Sequence, residues 1–115
     1  SWEQKLALAL FGPVLVRPHT FSPCYFLDDA AAMARALSIP VVLLGGVETR
    51  ADLDAAAAAG FRHVAMARAL LANPRLPLDL AAGLGSQPRC TRCNLCVVEM
   101  DRGGVRCVAP PALLG

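Results

Sequence analysis

Four cysteines crowd the C-terminal third of the chain, as Cys90-Thr-Arg-Cys93-Asn-Leu-Cys96 followed after ten residues by Cys107. Thiolates are soft ligands, and three of them with two residues between successive members resemble the first part of a bacterial ferredoxin run. Cys107 then supplies the remote fourth ligand of a [4Fe–4S] cluster. Structural zinc also takes four thiolates, more often as two separated pairs. A segment of reduced thiols with no metal is the third reading, and spacing alone leaves all three open. Thiolates brought together repel one another, so gathering four of them calls for a cation. Gly103-Gly104 can turn the chain back to deliver Cys107 to the other three. Arg89, Arg92 and Arg106 stand beside the thiols, where they would offset the negative charge of a cluster. Cys24 stands apart and reads as a small apolar residue near the start of a helix.

A second set of residues suits anion binding. Leu44-Gly45-Gly46 and Met66-Ala67-Arg68 each end an apolar run and open toward a helix. Adjacent glycines let main-chain N–H groups approach a ligand, a helix start is electropositive, and Arg68 adds a fixed charge with forked donors. Together they read as a phosphate cradle. The competing reading makes Gly45-Gly46 a simple turn and Arg68 a solvated charge. His19 in a Pro-rich loop and His63 in an apolar run have no Ser, Cys or acid placed to form a relay, so both read as structural. Asp28-Asp29 and Asp52 with Asp54 fall in first helical turns, where negative charge suits the helix dipole.

The elements that must position these residues follow from periodicity and punctuation. Ser1 to Phe11 reads as a short connective helix ended by Gly12-Pro13. Val14 to Val16 is too short to type, and the two prolines of Arg17 to Pro23 favour a loop. Tyr25 to Leu37 is a helix with Phe26, Ala30, Met33, Ala34 and Leu37 on one face. After Pro40, Val41 to Leu44 is an unbroken aliphatic run, the pattern of a parallel strand buried on both faces. Thr49 and Asp52 form a capping box for a helix over Arg50 to Ala59, which Gly60 stops. Arg62 to Met66 is a second strand, followed by a helical turn over Ala67 to Leu71. Asn73-Pro74 is a good N-cap and first-turn pair, and Pro77 also suits a first turn, so a further helix runs from about there to Ala82, with Gly83 as its stop. Helices and strands that alternate with short connections imply an α/β fold with a parallel sheet. A complete eight-unit barrel takes roughly 200 residues or more, so 115 residues would supply only its final portion.

Composition narrows the function classes. Hydrophobic residues make up 56% of the chain, enough for a packed core and against disorder as the main state. The net charge of +2 comes from single charges scattered without a basic stripe, which argues against a nucleic-acid partner. The longest uncharged stretches fall short of the ~18 apolar residues that span a bilayer. Nothing at the start marks secretion, and a cytoplasmic, reducing home fits the unpaired thiols.

Ile39-Pro-Val-Val-Leu-Leu-Gly-Gly-Val47, then Val64-Ala-Met-Ala-Arg-Ala-Leu-Leu-Ala-Asn-Pro74, then the cysteine segment recur in order at suitable spacing. In these motifs the chain resembles the C-terminal part of the Old Yellow Enzyme family of FMN-dependent NADH:flavin oxidoreductases. The nearest branch is the bacterial one containing 2,4-dienoyl-CoA reductase and trimethylamine dehydrogenase. The resemblance runs from Tyr25 to Cys107. It implies a (β/α)8 TIM barrel, incomplete in this chain, with FMN at its mouth. The FMN phosphate would be held by groups corresponding to Gly45, Gly46, Ala67 and Arg68, with Ala67 standing where the family carries Gly. Residues 1–24 would be the connection after the sixth strand, residues 25–83 the last βα units, and residues 84–115 a Cys-rich segment. The thiol spacings beyond Cys93 are each one residue shorter than in the family's cluster-bearing members, so the metal question stays with local chemistry.

The resemblance also implies the reaction of the parent protein: hydride passes from NAD(P)H to flavin and on to an electron-poor double bond. The family's proton donor comes from earlier strands, so no catalytic residue is named in this chain. The fragment alone is expected to be inactive without the N-terminal barrel half, and an oligomeric parent is compatible with the pattern. The rival reading is a non-redox phosphate-binding barrel fragment whose Cys segment holds zinc or nothing.

Overall fold

The computed structural model describes residues 2–3, 6, 10–11, 19–84 and 87–110. Of the expected opening helix, Trp2, Glu3, Leu6, Leu10 and Phe11 are helical. The rest of that segment, with Val14 to Val16, lies outside the described residues.

Two strands form within the aliphatic runs, β1 at Leu43–Leu44 and β2 at Val64–Ala65. They pair in parallel, Leu43 against Val64 and Leu44 against Ala65. Parallel neighbours need a crossover. Here it contains helix α2, Arg50–Ala58, and α1, Leu27–Ala36, precedes the pair. Three short helices follow: α3 at Arg68–Ala72, α4 at Leu76–Ala81 and α5 at Leu95–Met100.

Alpha2 begins where its sequence says it should. Thr49 Oγ1 accepts from Asp52 N at 3.2 Å, and Asp52 Oδ2 accepts from Thr49 N at 2.7 Å, the two halves of a capping box. Asp52 Oδ2 also accepts from Glu48 N at 2.9 Å, so one buried carboxylate satisfies two main-chain donors. Gly60 follows the helix at φ +93°, where a side chain would be strained.

One core cluster gathers Cys24, Leu43, Val47, Ala56 and Phe61, with α1 packed over it. A second gathers Ala69, Leu76 and Leu80, and Leu53 and Met66 pack against both. The small Ala56 lets α2 sit close to the strands.

Three local expectations are corrected. The strand is not covered on both faces: Leu43 is fully buried, whereas Val42 and Leu44 are 50% and 53% exposed. Among the described residues the elements packed on the strand lie on Leu43's side, and alternate residues of a strand point opposite ways. The inward stripe of α1 is Leu27, Ala30, Ala31 and Ala34, while Phe26, Met33 and Leu37 are exposed. The expected face mixed two adjacent stripes of a helix that is apolar on more than one side. Asn73 does not start a helix directly. Its Oδ1 accepts from Arg75 N at 3.1 Å in a turn, its Nδ2 donates to Asp79, and α4 starts at Leu76 with Pro77 in its first turn, as Pro77's own chemistry suggested. Helix α5 inside the cysteine segment was not anticipated, because its six residues are too few to show a period.

Candidate functional site

The chain leaves β1 through Gly45 at φ +117° and Gly46 at φ +72°, conformations that L side chains rarely adopt. The loop is also tightly flanked. A Cβ on Gly45 would stand 2.8 Å from ring carbons of both Tyr25 and Phe26, and one on Gly46 would stand 3.0 Å from Cys24 N. Gly46 O accepts from Cys24 N at 3.1 Å, which pins the 22–26 turn against the loop. So the glycines serve the fold as a turn, as the competing reading had it, and still leave donors for a ligand.

Because β1 and β2 are parallel neighbours, their exits lie side by side. Gly45, Gly46, Ala67 and Arg68 all line one cavity of about 60 Å³, together with Tyr25 and Glu48. The main-chain N–H groups of Gly46 and Ala67 have no protein acceptor among the described residues. Such donors beside a guanidinium make an anion-binding concavity. The residues present therefore fit a phosphoryl group.

The four thiols of the Cys segment also converge. Cys90, Cys93, Cys96 and Cys107 line a single cavity of about 20 Å³ that Arg68 and Asn94 share. Among the described residues, however, no three His, Cys, Asp or Glu side chains are grouped to hold an ion. Arg92 and Asn94 adopt φ +60° and +58°, left-handed backbone that residues other than glycine rarely hold. The main-chain N–H of Leu95, then the Thr91 side chain, hold the Cys93 thiol below its ordinary value of 9.0, against a smaller opposing effect of desolvation. Four thiols are the number and type of donor that a cluster or zinc takes, but as placed they do not form a metal-holding group. Cys24 is the opposite case: burial, and then the Asp52 charge, push its thiol up.

Of the three arginines expected to offset cluster charge, two are already paired. Arg92 meets Glu48 at 2.7 Å, and Arg106 meets Glu99 at 2.7 Å. Sequence reading missed Glu48 and Asn94 as site residues. Asn94 accepts from Arg68 through its Oδ1. The one available signal was position, Glu48 just past the glycines and Asn94 inside the cysteine run.

No family model matches the chain, and no solved structure matches it. It is similar to the 4,4'-dithiodibutanoate disulfide reductase of Rhodococcus erythropolis, 36% identical over 107 residues, which cover 93% of this chain and 26% of that protein. It is also similar to the imidazole glycerol phosphate synthase subunit HisF of Mycobacterium leprae, strains Br4923 and TN. That identity is 39% over 61 residues, 53% of this chain and 23% of the subunit. The chain thus spans about a quarter of the length of the curated relatives it matches.

Proposed function

We propose that this chain is a portion of an FMN-dependent oxidoreductase of Old Yellow Enzyme type. It comprises the last βα units of a (β/α)8 barrel followed by a metal-binding thiol segment. The observation that carries the reading is the shared cavity of two parallel strand exits, which brings Gly45, Gly46, Ala67 and Arg68 together. In a barrel such exits are where a phosphate site is built. Bound there, FMN supplies hydride chemistry to the parent protein. This chain's part is to hold the phosphate: Gly46 and Ala67 offer main-chain donors, and Arg68 offers charge-assisted ones. Cys90, Cys93, Cys96 and Cys107 would hold a [4Fe–4S] cluster. A reducing cytoplasm would keep those thiols available for it.

The similarity to a protein named as a disulfide reductase supports redox work and adds a second candidate substrate. Reduced flavin delivers two electrons, which suffice for an electron-poor C=C bond or for an S–S bond. The full-length parent, reduced anaerobically with NADH or NADPH, decides between them by whether an α,β-unsaturated ketone or 4,4'-dithiodibutanoate reoxidises it. A colourless parent that binds no FMN would sink the flavin reading and favour a phosphate-binding barrel without redox function.

A further inference from the structure

The wall of the strand-exit cavity carries two charged residues, Arg68 and Glu48. Glu48 is the odd member of an anion cradle, because a carboxylate repels the phosphoryl group that the cradle is read to hold. It brings no donor to offset that repulsion, since its main-chain N–H is already given to Asp52 Oδ2 at 2.9 Å. Nor is it free to swing out to water. Glu48 is 6% exposed, and its Oε2 accepts from Arg92 at 2.7 Å across 44 residues of sequence. Arg92 does not line this cavity, and its guanidinium is fixed in turn 3.6 Å over the Phe21 ring.

Charge then decides what the cradle accepts. Arg68 and Glu48 oppose each other on the wall, so an anion is favoured by the free N–H groups of Gly46 and Ala67 and by the Arg92 guanidinium held on Glu48. The cavity of about 60 Å³ has room for about four water-sized atoms, the size of one phosphoryl group. A single phosphate ester already carries about two negative charges at neutral pH, and a second phosphoryl group adds more beside a fixed carboxylate. We propose that Glu48 is a specificity-determining residue that limits the cradle to one terminal phosphoryl group, a phosphomonoester against a diphosphate. Arg92 is the positioning residue that offsets Glu48 enough for that one group to bind. The inference rests on the reading of the strand exits as a phosphate site.

The test uses the full-length parent freed of flavin. FMN, and riboflavin as the same ring without phosphate, are titrated by fluorescence, and phosphate and pyrophosphate compete against FMN. Glu48→Gln should bind FMN about threefold tighter or more, the scale of removing one nearby like charge. It should leave riboflavin unchanged and gain more for pyrophosphate than for phosphate. Arg92→Gln should weaken FMN but not riboflavin, and adding Glu48→Gln to it should restore FMN to the wild-type level or better, since no charge then remains to be offset. Should Glu48→Gln fail to fold, Glu48→Met carries the same expectations. A purely structural pair predicts otherwise: FMN and riboflavin weakened together in Glu48→Gln, or losses that simply add in the double variant. Either result would overturn the proposal, as would a Glu48→Gln protein whose FMN affinity, or whose ratio of pyrophosphate to phosphate affinity, stays at the wild-type value. A wild type that binds FMN no tighter than riboflavin has no phosphate site, which fails the underlying reading itself and takes this inference with it.

Discussion

Arg68 stands at a junction: it lines the cavity at the strand exits, lines the thiol cavity and donates to Asn94 between them. In the full-length parent, Arg68→Ala is expected to weaken FMN by about 1.5–3 kcal/mol, the loss of a charge-assisted hydrogen bond. Flavin titration reads it, and an unchanged dissociation constant would make Arg68 a solvated surface charge. The five thiols should differ in a predictable order. In metal-free protein Cys93, exposed and with its pKa lowered by the Leu95 N–H and Thr91, should be alkylated first and keep reacting at pH values where an ordinary thiol has stopped. Cys24, buried with its pKa raised, should react last. The sign of its stability effect follows: the folded state holds the Cys24 proton more firmly than the unfolded one. Its contribution is complete below 9.0 and is lost as pH rises from there through the raised folded value. Mass mapping of alkylation against pH checks both, and equal rates at Cys24 and Cys93 would contradict them.

Helix α2 sets the Gly45-Gly46 loop from behind, because Asp52 accepts from the N–H groups of Glu48 and Thr49 just past the glycines. Asp52→Ala removes the cap and orphans two donors, one of them in the buried Glu48, and is expected to destabilise the parent by about 2 kcal/mol. Thr49→Ser keeps the cap oxygen and should cost far less. Urea unfolding of both variants tests this, and equal midpoints would sink it. This device was legible from Thr49 and Asp52 alone, since both halves of a capping box lie within one helical turn. The stripe of α1 was not legible to the residue, because Phe26, Met33 and Leu37 are as apolar as the side chains that pack. Nothing within a helix says which apolar flank a distant strand will cover.

At the scale of the whole molecule, the open faces carry the next expectation. Val42, Leu44, Phe26, Met33 and Leu37 are exposed large apolar side chains, and the sheet among the described residues has two strands with unpaired outer edges. Both features promote association. The isolated 115-residue chain should therefore aggregate and lack turnover, as size-exclusion chromatography and an NADH assay would show. A monodisperse, active monomer would refute it. In the parent, Ser at any one of Cys90, Cys93, Cys96 or Cys107 should abolish anaerobic cluster absorbance, whereas Cys24→Ser should leave it intact. A wild-type parent that takes up no iron on reconstitution would make the segment a metal-free loop. By itself the sequence determined what is local: the alternation of helix and strand, the capping box, the glycine exits and the spacing of four thiols. Those follow from backbone sterics and short-range hydrogen bonds within a turn or two. Only the tertiary structure decided that the two strand exits share one cavity, that Leu43 and not Leu44 is covered, and that Arg92 is spent on Glu48. These pairings join segments up to 44 residues apart and depend on how all the packed elements close together, which no local period in a single sequence records.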